Sequence, residues 1–333
     1  MRIMDVLSDM KHGKLPNLTY MLKRIWGYAG QYSEKYGVSR IYLFSDYFLC
    51  ALVYGCSGID YFLYRFFDLK RKARRRFVTD RYEKSFEKKH TDAVQNGITE
   101  DKEKTLVHFA KYMQRDWCGP EANNSEADFN NFYEKYGRGI IKPLNGLGGR
   151  GIEIVKLSER FRSGAELRSY CIENRLLIEA LIPQHEELNR MYPDAINTIR
   201  MVTLKGRLIG ASLRIGVGGA NVDNAHSGGI FAEVDINEGV VIGKAMRYTN
   251  EQFLRHPTTG TVIPGFAIPY WKECVSMAEE ACRLIEDVCL VGWDVAVTPD
   301  GPTFVEVNTN PGLELVQAPN GHGLKHEFLK IKD

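Results

Sequence analysis

The chain has 333 residues, of which 44% are hydrophobic and 26% charged; this is ordinary for a globular protein and long enough for two or three lobes. Its net charge of +2 gives no overall electrostatic reason to bind nucleic acid. Seven cysteines without CxxC spacing argue against a disulfide framework or a zinc site, and they favour reduced thiols in a cytoplasm.

Neither a secretion signal nor a membrane-spanning segment is expected. The first residues, MRIMDVLSDMKHGK, lack the apolar stretch of a signal peptide. The longest uncharged run of the aromatic N-terminal region, Tyr47 to Ile59, is shorter than the ~20 apolar residues that a bilayer requires. We therefore expect a cytoplasmic protein.

Residues 1–100 are rich in Tyr, Phe, Lys and Arg, and we expect them to be helical. Within them the aromatic run Tyr61–Phe67 precedes the basic run Lys70–Arg76. Such an arm, 61–76, is typical of a helix that contacts the inner face of a membrane peripherally. The interpretation we favour is a helix whose aromatic face packs on the protein while its charges are solvated. Nucleic-acid binding ranks below both.

The middle stretch, 101–178, contains two strand patterns around a glycine-rich loop. The strands are Gly139–Pro143 and Ile152–Val155, and the loop glycines are Gly146, Gly148, Gly149 and Gly151. A dinucleotide fold needs a helix after the last glycine, a Walker A loop needs Gly-Lys-Ser/Thr, and a protein kinase needs HRD and DFG elements; all are missing. Two interpretations remain. One is a flap whose N–H groups lie over phosphates while Lys142 points in from the first strand, and the other is a surface turn.

From residue 179 onward, β-branched strands alternate with turns. The segment Leu176–Pro183 reads as a buried strand. Its edge could bind an adenine ring through the backbone, and Glu179 or Glu187 could bind ribose hydroxyls, although such a segment alone is more often core. Near the end, apolar residues at helical spacing predict a helix over Pro269–Val288 that covers a sheet.

The segments Leu290–Thr298 and Thr303–Asn308 read as two strands joined at Pro299–Gly301. If those three residues form the loop, the pairing is symmetric about the middle one, and Asp294 lies opposite Glu306. Cross-strand partners have Cβ atoms ~5 Å apart. The hairpin therefore brings two carboxylates together.

Asn308 shares a face with Glu306, because side chains alternate along a strand. Like charges this close repel unless a cation lies between them. Two carboxylates and an amide oxygen suit Mg²⁺. The alternative is a surface hairpin whose polar residues face solvent. The polar segment that follows, Asn308–Gly312, favours the metal site.

Taken in order, these elements resemble the ATP-grasp superfamily over about 101–317: a lysine beside a glycine-rich loop, a glutamate-bearing hinge strand, an aspartate and then Glu-x-Asn. More narrowly, the chain is similar to the sugar-transfer-associated ATP-grasp family. The similar stretches are Asp60-Tyr61-Phe62, Asn197-Thr198-Ile199-Arg200, Val222-Asp223-Asn224, Ser227-Gly228-Gly229, His256-Pro257-Thr258-Thr259-Gly260 and Gly292-Trp293-Asp294.

The resemblance implies an α+β fold of the ATP-grasp type, in which two α+β lobes clamp ATP, with a helical N-terminal region at 1–100. The small lobe with the flap would be 101–178, and the C-terminal lobe with the metal site would be 179–333. It implies ATP and Mg²⁺ as cofactors. The activity would be that of a carboxylate–amine ligase in a surface-glycan pathway, acting on a small carboxylate and an amine of an amino acid or amino sugar.

The resemblance also implies roles for individual residues. The metal ligands would be Asp294, Glu306 and Asn308. The nucleotide would be bound by Lys102, Lys142, Gly146, Gly148, Gly149, Gly151, Glu179, Ala180, Ile182 and Glu187. The candidate substrate contacts are Asn221, Asn224, His226, Ser227 and His256, and those in the loop Gly216–Gly229 can equally be turn formers.

One departure from the superfamily concerns position 292. Other ligases place an arginine just before the metal aspartate to hold the oxyanion, but this chain has Gly292 there. We expect Arg200 or Arg214 to take that role. Arg214 resembles the basic residue that other members aim at the transferred phosphate, where positive charge is most useful.

Two other functions remain open at this stage. A kinase that phosphorylates a hydroxyl could use the same ATP site. A non-catalytic nucleotide-binding scaffold could be anchored through its basic arm, although the metal residues weigh against it.

Overall fold

The computed structural model describes residues 18–91, 97–99, 101–144, 151–220, 223, 225 and 228–331. Two antiparallel sheets form its framework. The smaller has the order β1-β4-β2-β3, and the larger has the order β11-β10-β5-β6-β7-β8-β9. The strands are β1 Trp117–Cys118, β2 Arg138–Pro143, β3 Glu153–Lys156, β4 Leu176–Glu179, β5 Ile199–Leu204, β6 Arg207–Ile215, β7 Ile230–Val234, β8 Ala245–Met246, β9 Gln252–Phe253, β10 Leu290–Thr298 and β11 Gly301–Asn308.

Helices cover the sheets and build the N-terminal region. They span Leu18–Tyr36, Arg40–Tyr54, Gly58–Leu63, Arg71–Arg74, Asp80–His90, Lys102–His108, Glu126–Lys135, Leu157–Arg160, Gly164–Asn174, Glu186–Met191, Trp271–Ala281, Glu314–Gln317 and Lys325–Phe328, with 3₁₀ turns at Phe66–Asp68 and Cys282–Leu284. The helix expected over Pro269–Val288 is shorter, because Tyr270 is left-handed (φ 53°) before its first turn. Among the described residues, no helix combines the length and apolar character needed to cross a bilayer.

The hairpin β10–β11 places Asp294 opposite Glu306, as predicted, but by a different route. The turn is one residue tighter than expected, since Thr298 pairs with Gly301 and Val295 pairs with Phe304. A β-bulge between Asp294 and Val295 then restores the expected pair. Val305 is the additional residue of β11. The bulge puts Glu306 on the polar face.

The N-terminal helices have their own aromatic core. The helix Arg40–Tyr54 starts at Ser39, whose hydroxyl accepts from the Tyr42 N–H, and ends at Gly55 (φ 67°). A side chain at Gly55 would be strained, and its Cβ would lie 2.7 Å from Arg81 Cβ. Asp60 caps two further helices, because its carboxylate accepts from the N–H groups of Ser57 (2.7 Å) and Asp80 (3.0 Å). This gives the Asp60-Tyr61-Phe62 stretch a structural role.

The aromatic half of the arm 61–76 lies in this core. Tyr61, Phe62, Leu63, Tyr64, Phe66 and Phe67 are all buried, whereas Lys70, Arg71, Lys72, Arg75 and Arg76 are exposed. Their burial does not support the alternative of a membrane contact through these aromatic rings. The favoured alternative, packed aromatic residues beside solvated charges, is confirmed.

The largest core lies on one face of the seven-stranded sheet, where Trp293 and Phe304 stack beneath the helix Trp271–Ala281. Leu106, at the start of the predicted small lobe, packs in the same core. The helix Lys102–His108 therefore rests on the larger sheet. All seven cysteines are free and buried.

A buried ion pair connects the N-terminal helices. Arg74 donates two hydrogen bonds to the Asp46 carboxylate (2.9 and 2.7 Å), and the Tyr61 hydroxyl donates a third (3.0 Å). We predict that Asp46→Asn lowers the free energy of unfolding by about 3 kcal/mol, because it leaves a buried guanidinium without its counter-charge. Urea unfolding followed by fluorescence measures the change.

The matched control is Asp68→Asn, which breaks the half-exposed pair with Arg65. It should change the free energy of unfolding by less than about 1 kcal/mol. Equal losses of unfolding free energy in the two variants would contradict the prediction that the buried ion pair stabilises the fold more than the exposed one.

Candidate active site

Asp294 lies at the centre of the polar face of the larger sheet and is 3% exposed. Two arginines from neighbouring strands hold its carboxylate. Arg200 on β5 donates from Nε (2.6 Å) and Nη2 (3.1 Å), and Arg214 on β6 donates from Nη1 (2.8 Å). Burial by itself would raise the pKa of Asp294, but the two guanidinium charges outweigh burial and lower it. This carboxylate stays ionised.

Arg214 also contacts a second carboxylate, that of Asp223. Asp223 was not identified as a site residue from the sequence. Its carboxylate accepts from Arg214 Nη2 (3.1 Å), from the Thr198 N–H (2.9 Å) and from the Thr198 hydroxyl. Arg214 is thus held between two carboxylates, and these raise its pKa against the effect of burial. Arg214 therefore has a fixed orientation, and its Nε is buried without a partner among the described residues.

Glu306 differs from Asp294 in its electrostatic surroundings. Burial raises its pKa, and the negative charge of Asp294 across the hairpin raises it further, while Lys102 and Lys142 act in the opposite direction. A bound cation would therefore stabilise the ionised form of Glu306 more than that of Asp294, which already has two arginines beside it. The next residue on its face, Asn308, has a buried amide nitrogen without a partner among the described residues.

These residues fit a magnesium ion chemically. Asp294, Glu306 and Asn308 offer hard oxygen donors, and the uncommitted amide of Asn308 is free to turn its oxygen toward a cation. Within the described part of the chain, no group of three or more His, Cys, Asp and Glu side chains is arranged to hold a metal. A cation here would need the amide and the phosphates of a nucleotide to complete its shell.

The glycine at position 292 has a steric explanation. A Cβ at Gly292 would lie 2.8 Å from the Cα of Pro311 and 3.4 Å from Cδ of Arg200. Arg200 crosses this position and also donates from Nη1 to the Pro311 carbonyl. Gly292 therefore leaves room for the side chain of Arg200 to cross from β5.

Lys142 on β2 faces the site from the smaller sheet. Its Nζ lies 2.6 Å from Oε2 of Glu179 on β4, and both side chains are buried. Arg115 Nε lies 2.9 Å from the same oxygen. Burial opposes ionisation of Glu179, but the two cations lower its pKa to about 2. Glu179 holds Lys142 in place, and this engagement differs from the ribose contact suggested by the sequence.

Arg115 also links the two sheets. Besides Glu179 on the smaller sheet, it donates from Nη1 to the carbonyl of Phe304 (2.7 Å) and from Nη2 to the carbonyl of Val305 (3.2 Å). Those carbonyls belong to the bulge that turns Glu306 onto the polar face. The arginine thus fixes Lys142, through Glu179, relative to the metal candidate. No sequence motif had marked it.

Lys102 starts the helix Lys102–His108, which Asp101 caps. Its Nζ lies 3.4 Å from the carbonyl oxygen of Leu144. Burial lowers the pKa of Lys102, and nearby Glu306 opposes that effect. The structure therefore brings Lys102 to the same cluster as Lys142 and Glu306.

Other predicted residues lie apart from this cluster. Glu187 is half-exposed and pairs with Arg190 on its own helix (2.8 Å). His256 is 1% exposed, and both ring nitrogens are engaged: Nε2 with the Gly216 carbonyl (2.7 Å) and Nδ1 with the Thr259 N–H (3.1 Å). His256 thus shapes the end of β6, and burial lowers its pKa.

The proposed adenine edge follows β4. The N–H of Ala180 already donates to the carbonyl of Asp116 (2.9 Å), so an adenine ring would have to use the carbonyl of Ala180 and the backbone of Ile182. Gly151 ends the predicted flap with φ 72°. The remaining predicted site residues lie outside the described part of the chain: Gly146, Gly148, Gly149, Asn221, Asn224, His226 and Ser227.

The model of the family described as sugar-transfer associated ATP-grasp matches residues 87–333, which is 247 of the 333 residues. The match confirms the resemblance drawn from the sequence and the ATP-grasp fold that it implied. No curated protein matches the chain by sequence.

Several solved structures are similar at low identity. D-cycloserine synthetase DcsG is 12% identical, with 70% of this chain and 71% of that chain covered and a TM-score of 0.41. A D-alanine--D-alanine ligase from Bacillus anthracis complexed with ATP is 13% identical, with 72% and 64% covered and a TM-score of 0.40. The ligase PsnB, complexed with minimal precursor, Mg and ADP, is 12% identical, with 66% and 52% covered and a TM-score of 0.39. This chain spans about half the length of PsnB.

The two metal-candidate carboxylates should respond differently to neutralisation. Since the pKa of Glu306 is raised on folding, the folded protein loses stability as pH rises from the unfolded value through the folded one. Glu306→Gln should remove this dependence and leave the free energy of unfolding at pH 7 equal or higher. Asp294→Asn should lower the free energy of unfolding by about 3 kcal/mol, because the buried Arg200 loses its counter-charge and Arg214 keeps only that of Asp223.

Urea unfolding of the metal-free proteins between pH 5 and pH 8 tests this, with Asp300→Asn at the exposed hairpin turn as a control for hairpin substitution. Similar destabilisation by Asp294→Asn and Glu306→Gln would show that we have misassigned their surroundings.

Arg115→Lys should raise the Mg²⁺ concentration needed for half-maximal nucleotide turnover by about tenfold, because lysine cannot hold Glu179 and both bulge carbonyls together. The matched control is Arg138→Lys at the exposed start of β2. A purely structural loss would reduce the amount of active enzyme but leave the Mg²⁺ requirement unchanged, and that result would reject the positioning role.

Proposed function

The chain belongs to the sugar-transfer-associated ATP-grasp family, and from that premise we propose that it is an ATP-dependent ligase of the carboxylate–amine type. In this proposal it phosphorylates a substrate carboxylate with ATP, releases ADP and joins the activated acyl group to an amine. The observation that carries the proposal is the convergence of Asp294, Glu306 and Asn308 with Arg200 and Arg214 on one polar face. Carboxylates for a metal and guanidiniums for a developing oxyanion are both needed for acyl phosphate chemistry.

ATP would bind between the smaller sheet and this face. Lys142, fixed by Glu179, and Lys102 contribute positive charge for the phosphates. Asp294, Glu306 and Asn308 would hold Mg²⁺, which supplies charge neutralisation to the β- and γ-phosphates. A bound cation would offset burial and the charge of Asp294, the two causes that raise the pKa of Glu306. We assign adenine to the backbone at Ala180 and Ile182, and the ribose to Glu187.

In the first step, a carboxylate oxygen of the substrate attacks the γ-phosphorus, the bond to the bridging oxygen breaks and ADP leaves. Arg214 and Arg200 lie beside the metal candidate, where they can orient the carboxylate and stabilise negative charge on the transferred group. In the second step, a neutral amine attacks the acyl carbon, loses a proton, and inorganic phosphate leaves. The same guanidiniums would stabilise the tetrahedral oxyanion.

We further propose that the substrates are small molecules, an amino acid or amino sugar among them, in a pathway that builds surface glycans. This part of the proposal rests on the family's description. The seven free, buried cysteines are compatible with a reducing cytoplasm. The loop Gly216–Gly229 is assigned to substrate binding, because Asp223 within it anchors Arg214.

Hydroxylamine can replace the unknown amine in a test of the chemistry. With Mg²⁺–ATP and a panel of amino acids and sugar acids, the protein should form a hydroxamate together with equal amounts of ADP and phosphate. Glu306→Gln should abolish product formation, whereas the exposed turn variant Asp300→Asn should retain it.

Other products would identify other chemistry. AMP with pyrophosphate would mean adenylation and would reject the γ-phosphoryl mechanism. A stable phosphorylated sugar without release of phosphate would identify the chain as a kinase. Nucleotide binding without any turnover across the panel, in a protein whose Asp294 and Glu306 bind Mg²⁺, would favour a scaffold.

A further inference from the structure

The helix Arg40–Tyr54 presents an unusual face to solvent. Six of its residues are exposed, and five of these are hydrophobic or aromatic: Ile41 (69% exposed), Tyr42 (46%), Leu49 (54%), Leu52 (76%) and Val53 (56%). Their spacing places them on one side of the helix, and the buried residues Leu43, Asp46, Tyr47 and Cys50 occupy the adjoining side. Exposed side chains of this size grouped on one helix indicate a contact surface.

No charge interrupts this face. The sixth exposed residue is Ser45, and its hydroxyl donates to the Ile41 carbonyl of the same helix (2.9 Å). The charged residues of the helix lie elsewhere: Asp46 is buried against Arg74, and Arg40 lies over the ring of Trp26 (4.2 Å to the centroid). Trp26 is itself 39% exposed.

A cationic segment borders the apolar face. Arg74 reaches both Asp46 and Cys50 on the flank of the helix, so the short helix Arg71–Arg74 packs beside it. Within the run Lys70–Arg76, five cations are exposed and no acidic residue occurs. Arg81 adds another at the end of the helix, where its N–H donates to the Gly55 carbonyl (3.1 Å).

We propose that this face, Ile41, Tyr42, Leu49, Leu52 and Val53 together with the cations of Lys70–Arg76, docks on a bilayer surface containing anionic phospholipids. The apolar side chains enter the boundary between headgroups and acyl chains, and the cations neutralise headgroup phosphates. A protein partner could cover the apolar residues, but the border of like charge matches an anionic plane. The contact lies on the helix Arg40–Tyr54 and leaves the buried aromatic residues of 61–76 in their core.

Sedimentation of the full chain with vesicles tests the proposal. Binding should be strong to phosphatidylcholine vesicles that contain phosphatidylglycerol, weak to phosphatidylcholine alone, and reduced by salt. The double variant Leu49→Glu/Leu52→Glu should lower the partition coefficient at least about tenfold, because two leucines no longer enter the bilayer. Replacing Arg71, Lys72 and Arg75 by glutamine should lower it by about a hundredfold at low salt.

Matched controls use residues of the C-terminal lobe. Leu254→Glu/Leu329→Glu alters leucines of similar exposure (57% and 70%), and Lys205, Arg207 and Lys244 are exposed cations for a triple glutamine variant. Both controls should bind vesicles like the wild type, and nucleotide turnover without vesicles should be the same in all variants.

Three results would overturn the proposal. The wild type could fail to bind the anionic vesicles, or the face variants could bind them as well as the controls do. Alternatively, sedimentation without vesicles could show a dimer that Leu49→Glu/Leu52→Glu dissociates, which would assign the face to a second copy of the chain.

Discussion

A carboxylate buried as deeply as Asp294 stays ionised only if positive charge compensates for its lost hydration. Arg200 supplies that charge from β5, which pairs with β10, and Arg214 supplies it from β6, one strand further along the sheet. Each also reaches a loop: Arg200 the carbonyl of Pro311, and Arg214 the carboxylate of Asp223. One electrostatic requirement therefore positions the ends of three strands and two loops around the same point. A nucleotide-bound cation would enter surroundings whose donors are already oriented, so little reorganisation would remain for the reaction itself.

The two sheets depend on a second set of buried charges. Glu179 belongs to the smaller sheet and Phe304 to the larger, and Arg115 contacts both. Since Lys142 shares the Glu179 carboxylate, the distance between the phosphate-binding lysine and the metal candidate is set by one planar guanidinium. Lysine would provide the charge but not the geometry, because its ammonium cannot address a carboxylate and two backbone carbonyls in fixed directions.

Strong local patterns in the sequence were enough to predict the strands β2, β3 and β10, the aromatic N-terminal core and the Asp294–Glu306 pair. The sequence could not reveal the roles of Arg115 and Asp223, because each acts through a partner in another element. Glu179 lies 64 residues after Arg115, and Arg214 lies 9 residues before Asp223. His256 was misleading for a related reason. Its motif suggested a substrate contact, whereas burial and two hydrogen bonds give it a role in shaping the chain after β6. The sequence predicted the pairing of Asp294 with Glu306 correctly, but it predicted a regular ladder without a bulge. The bulge could not be predicted, because the residue at the bulge is a valine, a type that is common in regular strands.

That bulge has an evolutionary consequence. The strand β11 contains one residue more than a regular ladder from Gly301 to Glu306 requires, and Val305 is that residue. A shorter homologue without it could still place its glutamate opposite the aspartate, but it would lose one of the two carbonyls that Arg115 binds. The additional residue and the arginine are therefore expected to be inherited together. Differences in the length of this hairpin among relatives should be accompanied by a change at the position of Arg115, some 190 residues earlier in the chain.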